Sequence, residues 1–550
     1  MRIPLVLAAA FVIQPLPTAA PDTDDYPRRP GVDVENYRFE LTLTDTADAI
    51  SGRSVVSVRF TNDGATELLL DLMSLNGDGR GMTVHSVTAA GAQLRYEHDS
   101  DLLTIVLPEP GRTGARLDVA IAYSGIPASG LRIGPNKYGD RTFFSDNWPD
   151  RARHWLPTID HPYDKAANEF VVTAPSHYQV VSNGVRIEET DSGDGTRMTH
   201  WRQSVPIATW LYVLGVARFA VQYVGDFEGR PIQTWVYSQD RNAGFHDFSV
   251  PTKQVMEFYA DRVGPFAYEK LANITSPATG GGMEAATAIM YGEDLVTGDR
   301  SVRLRNVVIH EIAHQWFGNA VTESDWDDVW LSEGFATYFT LLFIEHAYGR
   351  DEFVAGLKSS AERVFRQYTD DPDYRIVHDN LRDMRRVTSG ATYQKGSWVL
   401  HMLRSRMGDE AFWTGIRSYY SRYMNANAST TDFRRAMEEA SGLDLGVFFE
   451  QWLYSGGNPR LEGWWDYDPT AAAVRIELRQ TQSIGPVYEL PLEVGLHFAG
   501  DVLPSVVESV VLDQRFHQFV LPVEDMPEQV TLDPGTKVLF EADFGRRRQR

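Results

Sequence analysis

Two histidines and two glutamates lie close together near the middle of the sequence, in the segments HEIAH and WLSEG. On a helix, His310 and His314 are four residues apart and project from one face, so both imidazoles can bind one ion. Glu311 lies where a carboxylate can reach a water bound to that ion. Glu333 follows at the start of an expected second helix. Three ligands with a fourth position open predict a catalytic zinc site.

The apolar surroundings of this motif argue against a chance match. The same five-residue pattern occurs at random on solvated helices, but here it is flanked by apolar residues, among them Val308, Ile309 and Ile312. Polar side chains in a buried helix need a partner, because unpaired buried charge is costly. We expect this helix to end at Gly318, which is typical of the residue that follows a helix.

Three predicted domains position these residues. Residues 33–223 alternate apolar and polar side chains over many short runs, which predicts a large antiparallel β domain. Residues 224–455 combine a few strand-like runs with long helical patterns, which predicts an α/β-to-α metalloprotease-like domain. Residues 456–545 return to alternation and predict a small β-sandwich. The fold class is therefore multidomain, with the metal site in the central domain.

Composition narrows the classes of partner and ligand. The net charge of −23 argues against nucleic acid or an anionic membrane as a partner, since both favour basic surfaces. The chain has no cysteine, which excludes disulfides and thiolate ligands and leaves His, Asp and Glu to bind metal.

The first twenty residues have the pattern of a secretory signal peptide. Arg2 provides a positive start, residues 4–13 are apolar but too short to span a bilayer, and residues 18–20 are small. The sequence thus predicts an exported protein, periplasmic or secreted, with no integral membrane segment after the signal is removed.

Four stretches in this order resemble a known family. They are R-x-W-x-P-x-x-D-x-P at residues 153–162, GGMEA at 281–285, HEIAH with the later Glu333, and YQKG at 393–396. In these motifs the chain is similar to the gluzincin zinc aminopeptidases of peptidase family M1, which include alanyl aminopeptidases and leukotriene-A4 hydrolase. The likeness extends over residues 33 to 540 and implies a thermolysin-like catalytic domain.

The resemblance implies roles for individual residues in removing the N-terminal residue of a peptide through a zinc-activated water. One Zn²⁺ is held by His310, His314 and Glu333, while Glu311 moves the proton. Tyr393 donates to the oxyanion. Glu284 binds the free α-ammonium group of the substrate, beside Gly281, Gly282 and Met283, whose glycines allow close approach of the backbone.

Two positions depart from the family pattern on the side that binds the amine. Ala285 follows the motif glutamate where the family usually has asparagine, and Trp148 occupies a position where a polar partner is common. We hypothesise that Asp146 or Asn147 takes over part of the missing role. The sequence also ends after the β-sandwich, where many relatives continue into a helical domain, and we expect a more open site that accepts longer peptides.

Two other functions are compatible with parts of this pattern. A thermolysin-like endopeptidase would share the zinc site but would need no free amine, and Glu284 disfavours it. A non-catalytic, peptide-binding relative would need neither Glu311 nor Tyr393. Neither the preferred N-terminal residue nor the oligomeric state follows from the sequence.

Overall fold

The computed structural model describes residues 24–547, so the predicted signal peptide lies outside the described residues. The first part of the chain consists of strands whose apolar side chains alternate inward, as Tyr37, Phe39 and Leu41 do at 0–2% exposure. Strands β1 to β15 are, in order, Val32–Thr42, Ile50–Phe60, Glu67–Asp71, Gly81–Ala89, Ala92–Gln93, Tyr96–Asp99, Leu102–Val106, Arg116–Ile126, Leu131–Pro135, Arg141–Ser145, Ala166–Pro175, Gln179–Ser182, Val185–Asp191, Thr196–Ile207 and Leu214–Ala217.

These strands form three sheets. The largest has eight strands in the order β13-β14-β11-β1-β2-β8-β4-β5, and smaller sheets follow the orders β12-β15-β10-β9 and β3-β7-β6. Most neighbours are antiparallel, but β1 and β11 run parallel, with Phe39 opposite Phe170. Between β10 and β11 the chain is irregular apart from one short turn of helix, and this segment packs against the central part of the protein.

The central part begins with a five-stranded sheet. Strands β16 to β20 are Phe219–Phe227, Arg230–Tyr237, Leu271–Ser276, Gly282–Met283 and Ala288–Gly292, in the order β16-β17-β18-β20-β19. The short strand β19 lies antiparallel at the edge, where Gly282 is opposite Tyr291. Strand β16 crosses the domain boundary predicted after residue 223, and the boundary itself stays a prediction.

Helices cover this sheet and continue beyond it. Helices α1 to α9 are Arg241–Phe248, Pro251–Arg262, Val302–His314, Trp330–Tyr348, Arg350–Asp370, Gly390–Met407, Asp409–Tyr423, Thr430–Ser441 and Gly446–Phe449. The two-stranded parallel pair β21 (Val321–Glu323) and β22 (Ala426–Ala428) joins the end of the α3 turn to α7 and α8. Helix α4 is buried along most of its length, which explains why its sequence is apolar on all sides.

The last part of the chain is a sandwich of two small sheets. Strands β23 to β29 are Arg460–Asp468, Ala473–Gln480, Leu490–His497, Val506–Leu512, Phe516–Pro522, Gln529–Leu532 and Glu541–Arg546. They pair in the orders β27-β24-β23-β29 and β26-β25-β28. The predicted fold class, a β domain followed by a central α/β-to-α domain and a small β-sandwich, is confirmed.

One predicted helix end is wrong. Helix α3 ends at His314, four residues before Gly318. Gly318 does adopt a positive φ of 106°, but in the turn after the helix, where the chain reverses towards β21. Within residues 24–547, no helix is both long enough and apolar enough to cross a membrane.

Candidate metal centre and active site

Two helices bring the three predicted metal ligands together. Ser301 caps the start of α3, its side chain accepting the Leu304 amide, and His310 and His314 project from the last turns of that helix. Glu333 lies in the first turn of α4. Its Oε2 atom is 3.5 Å from His310 Nε2 and 3.3 Å from His314 Nε2. The two imidazole Nε2 atoms are themselves 3.1 Å apart.

This ligand set fits a zinc ion. Tetrahedral zinc with bonds near 2.0–2.1 Å places its ligand atoms about 3.4 Å apart, close to the separations found here. Glu333 Oε2 is buried and has no hydrogen-bond partner among the described residues, as expected of a ligand oxygen. His314 Nδ1 donates to the Phe317 carbonyl at 3.1 Å, which fixes the tautomer that leaves Nε2 free for metal. The two imidazoles lower the pKa of Glu333 to about 2 against the opposing effect of burial.

A contact between two glycines sets the position of Tyr393. Helices α4 and α6 approach so closely that a Cβ on Gly334 would lie 3.0 Å from the Gly396 Cα. One turn before Gly396, the Tyr393 hydroxyl reaches Glu333 and donates to its Oε1 at 2.8 Å. The glycines of WLSEG and YQKG therefore bring the tyrosine to the ligand set.

Lys395 anchors helix α6, the helix that carries Tyr393, to neighbouring segments. This side chain is buried on α6, and its Nζ donates to the Tyr368 hydroxyl on α5 and to the Gly457 carbonyl, both at 3.0 Å. Gly457 lies in the segment that leads from the helices into the β-sandwich. Burial lowers the pKa of Lys395 to about 7.

Glu284 lies beside the ligand set, directly after β19. Its backbone carbonyl accepts from Gln315 Nε2 at 2.9 Å and from Asn319 Nδ2 at 2.7 Å. Carboxylate oxygens of Glu284 and Glu311 and a ring nitrogen of His314 lie within 4.8 Å of one another. The side chain is 5% exposed, yet its Oε1 has no hydrogen-bond partner among residues 24–547. Burial raises the pKa of Glu284 to about 7.

Gly282 contacts the catalytic candidate Glu311. A Cβ added to Gly282 would lie 2.1 Å from Glu311 Oε1 and 2.4 Å from its Cγ. Gly281 has nothing within 4 Å of the corresponding position, and Met283 is buried. Burial, together with the nearby Glu284, raises the pKa of Glu311 well above its ordinary value.

Trp148 and its neighbours Asn147 and Asp146 make different contacts in the structure. Trp148 packs edge-on against Trp210 and Trp326, at 4.9 and 5.1 Å between ring centroids, so it fills a junction between the β domain and the short helical turn before α4. Asn147 is fully engaged: its Nδ2 donates to the Tyr212 carbonyl, and its Oδ1 accepts from the Trp155 indole.

Asp146 remains the one candidate of the hypothesised pair. Its carboxylate pairs with Arg151 at 2.7 Å, and its negative charge contributes to the raised pKa of Glu284. Burial raises the pKa of Asp146 as well.

The N-terminal motif has a structural part in this geometry. Arg153 donates from Nε to Asp160 Oδ2 at 3.1 Å and from Nη2 to the Asp160 carbonyl at 2.8 Å. Sequence reasoning missed Gln315, Asn319 and Ser332, which orient Glu284 and His314. Ser332 Oγ lies 3.1 Å from His314 Nδ1. Their only signal was adjacency to the zinc motif.

Comparisons with known proteins agree with this geometry. The Peptidase M1 N-terminal domain matches residues 33–211, and the Peptidase family M1 domain matches residues 250–452. Mouse glutamyl aminopeptidase is 29% identical over 57% of this chain and 34% of its own length. Aminopeptidase N of Streptomyces lividans is 29% identical over 81% of this chain and 53% of its own. The chain thus spans about a third to a half of these curated relatives.

Solved structures extend the match to the fold. The M1 zinc metallopeptidase of Deinococcus radiodurans superposes with a TM-score of 0.65 at 25% identity, over 75% of this chain and 91% of that one. A mutant of that protein bound to a Tyr-Ser-Ala substrate gives a TM-score of 0.66, over 77% and 94%. Two consecutive family domains and a shared fold around one ligand set lead to one assignment: this chain belongs to peptidase family M1.

Proposed function

We propose that this protein is a zinc aminopeptidase that removes the N-terminal residue from peptides. The observation that carries the proposal is the Glu284 carboxylate, buried beside the His310, His314 and Glu333 ligand set with one oxygen unpartnered. A buried carboxylate without a partner is costly, and the α-ammonium group of a peptide would neutralise it. A site that binds the amine at Glu284 can cleave only the bond that follows the N-terminal residue.

The residues around the scissile bond have separate tasks. A zinc ion in this site would polarise the peptide carbonyl and acidify a water. Glu311 would take a proton from that water while the water oxygen adds to the carbonyl carbon. Glu311 would then deliver the proton to the leaving nitrogen as the C–N bond breaks. The Tyr393 hydroxyl lies next to the ligand set, where it donates to Glu333 Oε1. During the reaction this single proton would turn from Glu333 to the developing oxyanion and stabilise it.

The relatives support this activity. Two of the similar proteins are named glutamyl aminopeptidase and aminopeptidase N. Asp146 is proposed to assist Glu284 in binding the amine, because its charge acts on the Glu284 carboxyl while Asn147 and Trp148 are engaged elsewhere.

The test compares a peptide that has a free N-terminus with the same peptide N-acetylated. We expect kcat/KM for the free peptide to exceed that of the blocked one by at least about a hundredfold, since a buried charge pair is worth several kcal/mol. Activity should disappear with a chelator and return with zinc. Equal cleavage of both peptides would overturn the proposal and indicate an endopeptidase. Glu284→Gln should remove the preference for the free N-terminus while retaining zinc.

We also propose that the protein is exported. The proposal is supported by the pattern of residues 1–20, with Arg2 before an apolar run and small residues at 18–20. N-terminal sequencing of protein recovered from extracytoplasmic fractions tests it. Recovery in the cytoplasmic fraction with residue 2 or Met1 at the N-terminus would contradict export.

A further inference from the structure

A groove of about 420 Å³ opens from the active site along α3, α4 and α5. Its walls include three side chains of the site, His310, Glu311 and Tyr393, and two arginines, Arg305 and Arg363. Both arginines bring positive charge to this groove, in a chain whose net charge is −23. The question is what these two guanidinium groups contact.

The groove leads away from the amine-binding side. Glu284 is held by Gln315 and Asn319, which follow His314, and Glu284 is not part of the groove wall. Arg305 lies on the opposite side, in the first half of α3. If the substrate amine binds Glu284, the residues after the scissile bond extend along this groove.

Arg305 is oriented but only partly satisfied. Its guanidinium carbon lies 4.1 Å above the ring of Tyr348, and its Nε donates to Asn306 Oδ1 at 3.0 Å. Its two terminal nitrogens form no hydrogen bond or ion pair with the residues that the structure describes. A stacked guanidinium with its terminal fork free has the geometry that binds a carboxylate through two parallel hydrogen bonds.

Arg363 is exposed on α5 and has no ion pair and no hydrogen bond within residues 24–547. Two other arginines on these helices are paired, Arg303 with Asp294 at 2.9 Å and Arg350 with Glu345 at 2.7 Å. The groove also contains the exposed carboxylate of Glu352, which forms no ion pair with either groove arginine.

We propose that Arg305 and Arg363 bind a carboxylate of the peptide on the leaving-group side of the scissile bond. This subsite rests on the proposed aminopeptidase function and adds to it a preference for anionic peptides. The carboxylate is either the C-terminus of a short peptide or an acidic side chain.

Helix geometry places this carboxylate about two residues beyond the cleaved bond. Arg305 precedes His310 by five positions, which is about 7.5 Å along the helix axis at 1.5 Å per residue. An extended peptide advances about 3.3–3.6 Å per residue, so two residues cover the same distance. A tripeptide would then present its own C-terminal carboxylate to the arginines.

The experiment compares matched substrates. One pair is a tripeptide, an aminoacyl-glycyl-glycine with the N-terminal residue that is cleaved fastest, as the free acid and as the C-terminal amide. The second pair consists of tripeptide amides with aspartate or asparagine at the third position. In the first pair we expect the acid to be preferred in kcat/KM by about tenfold, the value of one charge-assisted contact that is partly exposed.

Three variants show whether the arginines cause the preference. In the double variant Arg305→Gln/Arg363→Gln the ratio of acid to amide should fall to near one, with the amide as the internal reference. Arg303→Gln, on the same helix but outside the groove, should keep the ratio of the parent protein. A preference in the aspartate–asparagine pair alone would assign the subsite to an acidic side chain.

Failure of the subsite and failure of the proposed function give different results. Hydrolysis with ratios near one in both pairs overturns the subsite and leaves the aminopeptidase in place. The same preference in parent and double variant also overturns it. If no free-amine peptide is hydrolysed, the proposed function is overturned. The subsite is then tested by calorimetric binding of the acid and the amide to Glu311→Gln protein, and equal affinities would refute it.

Discussion

The replacement of Gly282 by alanine tests how closely the catalytic carboxylate is held. A Cβ at this position would lie 2.1 Å from Glu311 Oε1 and 2.2 Å from its Cδ. The backbone of Gly282 cannot easily withdraw, because it pairs with Tyr291 in the sheet and its carbonyl accepts from Thr279. The carboxylate of Glu311 must therefore move.

The size of the effect follows from that movement. Ordinary contact begins at 3.4 Å, so the Glu311 oxygen must retreat by more than 1 Å. A displacement of about 1 Å at a reacting group costs about a hundredfold in rate, or about 2.7 kcal/mol of transition-state stabilisation. We expect kcat to fall by this factor, while zinc content and the melting temperature change little because Gly282 is only half-buried and no metal ligand moves.

The assay is steady-state hydrolysis of an aminoacyl p-nitroanilide, with zinc measured in the same samples. Gly280→Ala is the matched control, since a Cβ there has nothing within 4 Å and the position has no positive φ. A Gly282→Ala enzyme with kcat within threefold of the parent would refute the reasoning. So would an equal loss in the control, because the contact with Glu311 would then not be the cause.

Three further results are expected. Glu311→Gln should retain zinc by metal analysis and lose turnover by at least about a thousandfold, and unchanged activity would exclude it as the base. Asp146→Ala should raise KM for aminoacyl amides several-fold, and an unchanged KM would refute the role of Asp146 in binding the amine. Asn147→Ala should mainly lower the melting temperature, because both polar atoms of the Asn147 side chain are hydrogen-bonded within the protein. His401 is buried, and its Nε2 donates to the Thr536 carbonyl. Burial lowers the pKa of His401 from 6.5 to about 4. Its contribution to stability is therefore full above pH 6.5 and is lost as the pH falls towards 4. Denaturant unfolding at pH 7 and pH 4.5 should show a decline that His401→Gln reduces by roughly 2–3 kcal/mol, and equal declines would contradict this.

The metal site could be predicted because its information is local. The four-residue spacing of His310 and His314 fixes their common face, and the apolar neighbours of the motif predict the buried helix that holds them. The strands of the β domain were equally readable, since half-buried strands impose a period of two. The end of α3 was not, because Gly318 carries the same signal whether it stops a helix or forms the turn that follows.

Contacts between distant segments could not be predicted in the same way. Position 282 needs a glycine because the side chain of Glu311, twenty-nine positions later in the sequence, lies against it. The backbone of Gly282 thus closely approaches Glu311 and not substrate alone. Trp148 looked like a missing polar partner, but the space that it fills is created by Trp210 and Trp326. Such pairings depend on how the β domain meets α4, which no local pattern encodes.

The buried amine of Lys395 links the helix of the proposed oxyanion donor to the segment that enters the β-sandwich. This side chain joins α5 and the segment at Gly457 to the helix that carries Tyr393, so the position of the oxyanion donor is transmitted across a domain junction. If Tyr393 donates to the oxyanion as proposed, the rate of bond cleavage would depend on a module that contributes no atom to the reaction. Substitutions near residue 457 would then change turnover as well as stability.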